Sequence, residues 1–395
     1  MRICLAGFEF ISSNKGCEAL TYSFMPILRK IFENQPLEIV VLNIHESLGK
    51  FPQYYPEFQF VNLPIHYKSL QFWKHFIKKI KSCDIIFDIT HGDSFSDIYG
   101  ISWFFKTTIL KEVCLVYKKP LILLPQTYGP FRKKIAKKWA AHIINHSVKA
   151  YTRDGLSQGY MCQTVGCNAS KRIASYTDLA FALPYVKSIN VNRTEIKKYG
   201  INVSGLLWND CEKKKKLNLK TDYQAYCRVL VRRLLEKENV EVHLVPHVIC
   251  DSREGTDYFE NDCKAIRSLL NEFPRCQFYN DFATPMDAKS YISGLDCLIA
   301  ARMHASIAAY SAGVACIPFA YSQKFSGLYE RLNYPYVVDG TELNTEEAVE
   351  KTFAFLGMQE KLSQQAVEGM QQTKKILDAF QADLVTSVAL LKGEK

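Results

Sequence analysis

Short apolar runs rich in β-branched residues alternate with longer amphipathic stretches along most of the chain, which is the pattern of parallel βα units. In the first half the strand candidates are residues 2–7, 37–44, 84–90, 120–125 and 149–153, with helix candidates at 16–33, 67–81, 100–118 and 133–147. From Leu183-Pro184 to Tyr199 the sequence turns polar and basic. Apolar runs then resume at 200–207, 240–246, 275–279, 296–301 and 314–321, with helix candidates at 222–238, 257–273, 285–293, 304–312 and 325–332. An acidic tail, about 345–391, reads as one or two closing helices. The expected fold is α/β, with two Rossmann-like domains at residues 1–184 and 199–344, a closing segment at 345–395, and a GT-B-like arrangement around a central cleft. Ligands of such sheets bind beyond the carboxyl ends of the strands, so strand-to-helix junctions are where chemistry is expected.

Composition narrows the class. A chain of 395 residues exceeds one compact core, and 48% hydrophobic with 23% charged residues is globular rather than disordered. The N-terminus lacks a signal-peptide pattern, and no apolar run approaches the roughly 20 residues needed to cross a bilayer. Thirteen cysteines stand singly with no CxxC pair, which points to reduced thiols and a cytoplasmic location. The nine histidines show no metal-ligand spacing, and neither a metal nor a cofactor is expected.

The net charge of +10 is clustered: five lysines and no acid at 66–81, then Arg132, Lys133, Lys134, Lys137 and Lys138, then Lys213 to Lys216. Anionic partners follow, while the absence of a recognition motif or stacking aromatics argues against nucleic acid. In the stretch Leu70 to Lys81, Leu70, Trp73, Ile77 and Ile80 form a stripe with Lys74, Lys78 and Lys81 off it, which suits either a core-packed helix or contact with an anionic membrane.

Five junctions concentrate polar chemistry. The first, Gly7 to Leu20, is a polar loop opening a helix; it carries Asn14, Gly16 and Glu18 but neither GxGxxG nor a P-loop. The second places Asp88, His91, Gly92 and Asp93 after a buried strand, where His91 or Asp93 could move protons. The third is Pro125-Gln126-Thr127-Tyr128-Gly129-Pro130-Phe131, with Gln126 and Tyr128 as acceptor contacts. The fourth is Arg153-Asp154, a bidentate anion grip or a structural pair capping the next helix. The fifth runs from Ser293 to Ala305: a buried strand delivers Arg302 and His304 to a helix start, and Tyr321 to Lys324 follows at the next junction. His247, followed by Asp251, occupies another strand end.

These junctions, in this order, resemble the polysaccharide pyruvyl transferase family, with matches over roughly residues 3 to 332. Asn14-Lys15-Gly16-Cys17-Glu18-Ala19-Leu20 corresponds to the family's N-x-G-(D)-E-A-L element, Pro125 to Phe131 to P-Q-x-x-G-P-F, and Arg153-Asp154 to R-D. Asp296, Arg302, His304, Gly313, Pro318, Tyr321 and Lys324 match its most specific part. Two positions depart from the pattern: Cys17 replaces an acid, and Thr90-His91-Gly92-Asp93 replaces paired glycines, so the acceptor pocket is expected to be specialised.

The resemblance implies transfer of pyruvate from phosphoenolpyruvate to a sugar, as a ketal bridging two hydroxyls, on a polysaccharide precursor of capsule or exopolysaccharide type carried on lipid at the inner face of the membrane. Arg302, Arg153 and Lys324 would hold the donor's anionic groups, and His304 would be the acid or base. Asn14, Gly16, Glu18, Gln126 and His247 complete the binding set, with Glu18, His91 and Asp93 on the acceptor side. Two alternatives remain on the same residues: a nucleotide-sugar-dependent GT-B glycosyltransferase and a non-catalytic glycan-binding protein.

Overall fold

A computed structural model describes residues 1–33, 35–165, 172–188, 195–209, 217–250 and 258–393. The Lys213 to Lys216 run and Asp251 lie outside the described residues. The chain divides into two units that are not contiguous halves: Met1–Ser12, Leu20–Leu179 and Lys375–Lys395 form one, Ser13–Ala19 and Ala180–Lys374 the other.

The first unit is a seven-stranded, all-parallel sheet: β1 (Arg2–Ala6), β2 (Glu38–Asn43), β3 (Gln59–Pro64), β4 (Ile85–Asp88), β5 (Leu121–Gln126), β6 (Lys149–Thr152) and β7 (Ile173–Ser175), in the order β3-β2-β1-β4-β5-β6-β7. The central strands are buried along their length, as a sheet covered on both faces requires. The strand order reverses between β1 and β4, so the loops after these two strands lie at a topological switch point. Two strands escape the sequence pattern. The edge strand β3 is only partly buried and carries Asn62 and Pro64, and β7 has three residues. Neither needs the continuous apolar run that marks a buried strand.

The helix Leu70–Ser82 corrects one expectation. Its buried positions are Phe72, Phe76 and Ile80, while Leu70 is exposed and Trp73 packs at the core margin with its indole N–H donating to Tyr67 O at 2.9 Å. The inward stripe is rotated from the expected one because two phenylalanines bury more apolar area than Leu70 and Ile77 would. Its apolar face is thus used by the core.

The second unit repeats the plan with a six-stranded parallel sheet: β8 (Lys197–Asn202), β9 (Val240–Leu244), β10 (Gln277–Phe278), β11 (Cys297–Ala300), β12 (Ala315–Ala320) and β13 (Val338–Asp339), ordered β10-β9-β8-β11-β12-β13. Here the switch point falls between β8 and β11. The apolar run 200–207 splits at Ser204 into the end of β8 and a short helix, Gly205–Trp208. Helix starts are set by local chemistry: Asp222 and Asn261 accept from amides of the first turn, and Thr284 with Asp287 and Asn344 with Glu347 form reciprocal capping boxes.

The tail forms two helices, Thr345–Leu356 and Gln359–Gly393. In the second unit Ser363 Oγ donates to Gly313 O at 2.6 Å. In the first unit Phe380 meets Tyr151 edge-on at 5.2 Å, and Asp383 accepts from Tyr176 Oη at 3.0 Å and pairs with Lys149 at 3.3 Å. None of the described helices is long and apolar enough to cross a membrane.

Candidate functional site

In the second unit the ends of β8, β9 and β11 are tied into one polar cluster by two buried side chains. Asn202, the last residue of β8, donates from Nδ2 to Val245 O at 2.9 Å and accepts the Arg302 amide on Oδ1 at 2.8 Å. Asp262, fully buried at the start of helix Asp262–Glu272, accepts the amides of His247 and Val248 on one oxygen, at 2.9 and 2.8 Å. Its other oxygen takes Gly205 N at 2.7 Å and Arg302 Nη2 and Nε at 2.8 and 3.2 Å. Glu260 adds a carboxylate contact to Arg302 Nη1 at 3.2 Å and a carbonyl contact to Nη2 at 2.7 Å. Burial opposes the Arg302 charge, but Asp262 and the neighbouring groups outweigh it and raise its pKa. Arg302 is therefore already matched by carboxylates, and its geometry is that of a brace between strand ends.

His304 opens the helix Met303–Ser311, for which Arg302 offers no side-chain cap. The segment Ser13–Ala19 joins the same cluster. Ile249 N donates to Ser13 O at 2.7 Å and Lys15 N to His247 O at 2.9 Å, with Asn14 and Val248 bridged antiparallel. Asn14 Oδ1 accepts Gly16 N at 3.0 Å. Gly16 is required by close approach: a Cβ there would stand 2.7 Å from His304 Cβ and Cγ. Lys15 and Glu18 pair at 2.8 Å, both buried. This places Asn14 and Gly16, and Glu18, which was expected on the acceptor side, in the unit that carries Arg302 and His304, because the loop's backbone bonds go to the strand end after β9.

His247 is 3% exposed, and neither ring nitrogen has a hydrogen-bond partner among the described residues. Burial, then the positive charge of His304, Arg302 and Lys15, pushes it down to about 3, so its ring is neutral at neutral pH. Lys324 lies in the helix Gln323–Arg331, with its side chain outside the described set.

The first unit holds a second cluster at its own switch point. His91 Nδ1 meets Glu9 Oε1 at 2.7 Å, with Trp103 tilted against the imidazole at 5.6 Å. Burial works against a charged ring, but the Glu9 carboxylate outweighs it and His91 titrates above the ordinary histidine range. Thr90 and His91 adopt φ of 40° and 54°, a left-handed conformation that costs on the order of 1 kcal/mol or more per residue outside glycine. Beneath them Asp88 accepts Thr90 Oγ1 at 2.5 Å and pairs with Lys111 at 3.1 Å, fully buried. Glu9, Asp88, His91, Trp103 and Lys111 help line a cavity of about 30 Å³, room for about one water. Asp93 accepts Tyr99 Oη at 3.0 Å.

Gln126, which ends β5, and Tyr128 are both buried, and Gln126 Nε2 donates to Asp88 O at 3.4 Å. One further expectation is corrected in this unit. Arg153 pairs with Asp178 at 2.9 Å rather than with Asp154, which accepts Ser157 N at 2.6 Å at the start of the helix Gly155–Val165.

The sequence reading missed Asn202, Glu260, Asp262, Lys15 and Glu9. Asn202 alone carried a signal, a polar residue inside the apolar run 200–207. Among the described residues no group of three His, Cys, Asp or Glu side chains is placed to hold a metal ion.

The family model for polysaccharide pyruvyl transferases matches residues 14–323. No curated protein matches in sequence. Among solved structures, the chain resembles HepE of Anabaena in complex with UDP and glucose (10% identity, 98% of this chain and 99% of that one, TM-score 0.63). It also resembles a UDP-GlcNAc 2-epimerase from Neisseria meningitidis bound to UDP-GlcNAc (10%, 96% and 99%, TM-score 0.60). A third similar structure is a glycosyltransferase from Rickettsia africae (11%, 99% and 98%, TM-score 0.59). At such identities the likeness establishes the GT-B-like fold and nothing finer.

Proposed function

Since this chain belongs to the polysaccharide pyruvyl transferase family, we propose that it transfers pyruvate from phosphoenolpyruvate to a sugar of a lipid-linked polysaccharide precursor, forming a ketal. The observation that carries this reading is the turn Arg302-Met303-His304, which sets a histidine at an uncapped helix start beside His247 and Lys15. In the reaction two sugar hydroxyls form C–O bonds to C2 of phosphoenolpyruvate, C3 gains a proton, and the C2–O bond to phosphate breaks. The two hydroxyl protons balance the one taken by C3 and the one left with inorganic phosphate and solvent. His304 is assigned the proton transfer, and Arg302 holds its turn in place. Lys324 is kept as a donor contact, and His91, Asp93 and Glu9 are assigned to the acceptor. The chain would act in the cytoplasm, at the membrane face that displays the lipid-linked acceptor.

A second reading has one specific support: two proteins of similar fold are bound to UDP or a UDP-sugar. Incubating the protein with phosphoenolpyruvate and candidate lipid-linked saccharides, while following phosphate release and product mass, tests the first reading. Product mass rising by a pyruvate ketal supports it. Transfer of a hexosyl unit from a nucleotide sugar, with no phosphate released from phosphoenolpyruvate, would replace it.

A further inference from the structure

We infer that His247 is a donor-binding residue that acts as a neutral imidazole, orienting an anionic oxygen of phosphoenolpyruvate without exchanging a proton, with the Ser322 hydroxyl as a second contact. The inference rests on the pyruvyltransfer reading and deepens it.

Buried polar atoms are almost always hydrogen-bonded, so those that are not mark places where a ligand or water completes the site. At the carboxyl edge of the second sheet such atoms follow β8, where Ser204 Oγ is one, β9 and β12. After β9, His247 has both ring nitrogens buried and unpartnered among the described residues. After β12, Ser322 precedes the helix Gln323–Arg331 without capping it, and its Oγ is buried and also without a partner there. The helix Met303–Ser311 between these ends is likewise uncapped by a side chain. The helices after the adjacent strands β11 and β12 thus both start without a side-chain cap, and His247 lies close enough to His304 and Arg302 to feel their charge, an arrangement that suits an anion.

The surroundings decide how His247 takes part. The groups facing it are His304 from the helix start, Arg302 from the end of β11 and Lys15 from the N-terminal loop, all cationic or able to become so. Asp262 holds its backbone amide, and the Asp262 charge is committed to Arg302. A second proton on His247 would face these cations with no carboxylate of its own. A neutral ring instead offers one N–H to a substrate oxygen while its other nitrogen accepts from a protonated neighbour or water. His304 keeps the proton transfer assigned to it above, so the two histidines have separate tasks.

The test compares wild type, His247→Gln, His247→Ala and Ser322→Ala, using phosphoenolpyruvate as the probe in steady-state kinetics across pH and in calorimetry. The expected result is a KM and Kd for phosphoenolpyruvate raised about 10- to 100-fold in the His247 variants, the loss of one hydrogen bond to a charged group, with the pH profile of kcat unchanged. Ser322→Ala should raise KM by a smaller factor. Unchanged donor affinity, or a kcat profile that loses an ionisation, would overturn the inference. Should both His247 variants fail to fold, nitrogen-15 NMR of the wild type decides. The His247 ring should stay neutral to below pH 5 and shift on adding phosphoenolpyruvate; protonation near pH 6.5, or no shift, would sink the inference. A wild type that consumes no phosphoenolpyruvate but binds it with the His247 dependence described would count against the pyruvyltransfer reading alone.

Discussion

One oxygen of Asp262 receives both Nε and Nη2 of Arg302, while the other oxygen holds the amides of His247 and Val248. A single carboxylate thus sets the spacing between the two histidine-bearing turns. Arg302→Lys keeps the charge but cannot make the paired contacts, and should lower kcat/KM for phosphoenolpyruvate by about 100-fold. Asp262→Ala leaves the buried Arg302 guanidinium with Glu260 in place of two carboxylates and frees the amides that Asp262 held, and should cost about 3 kcal/mol of stability. Thermal unfolding and steady-state kinetics on the two variants check this; wild-type efficiency in Arg302→Lys would mean that the brace is dispensable.

His304→Gln retains much of the shape and cannot carry a proton. It should bind phosphoenolpyruvate with near wild-type affinity and turn over about 100- to 10,000-fold more slowly. Normal turnover would move the proton transfer elsewhere.

Gly16→Ala should act on the same residue from the opposite side. The added methyl falls within 2.7 Å of the His304 side chain, whose ring must shift. A displacement near 1 Å is enough to lower turnover by about 100-fold, so kcat should fall while the fold persists. Circular dichroism and kcat measured together separate this from simple unfolding.

The His91–Glu9 pair makes a pH prediction with a definite sign. Its folded-state pKa is raised, so the pair contributes stability that is fully present below the unfolded value, about 6.5, and is lost as pH rises through the higher folded value. In Glu9→Gln burial is opposed only by the smaller pull of Asp88, and the His91 titration should move down. Histidine proton NMR reads the shift directly, and the stability difference between wild type and Glu9→Gln should narrow as pH rises. An unmoved titration would show that the carboxylate does not govern the ring.

Arg132, Lys133, Lys134, Lys137 and Lys138 are exposed, with Ile135 exposed among them. If the acceptor is lipid-linked, this segment is the better membrane contact than the helix Leu70–Ser82, whose apolar face is buried. Replacing Lys133, Lys134, Lys137 and Lys138 with glutamine should weaken binding to phosphatidylserine vesicles by about 100-fold or more at low salt, at about 1 kcal/mol per lysine. Unchanged sedimentation with vesicles would rule the segment out.

The strands from Asp296 to Ala301 and from Leu121 to Gln126 were legible because a strand buried on both faces must be apolar throughout, and the polar residues that follow then stand out. Arg302 and His304 were found in this way. Their partners were not, since Asp262 lies 40 residues from Arg302 in sequence and reaches it only through the fold. The mispairing of Arg153 has the same origin: adjacency suggested Asp154, whereas Asp154 satisfies a helix start and Asp178 comes from beyond β7. The role of Lys15 and Gly16 depended on where the loop's backbone bonds go, which local pattern does not encode.

The helix Gln359–Gly393 changes allegiance at Lys375, and its last turns supply Phe380, Leu384 and Val388 to the core of the first unit. During synthesis this unit begins first and finishes last: Tyr151 and Tyr176 have no cover until Phe380 has left the ribosome, by which time every residue of the second unit has already emerged. Chains truncated after residue 374 and released should therefore hold a folded second unit and a first unit still open to protease at the strand β6.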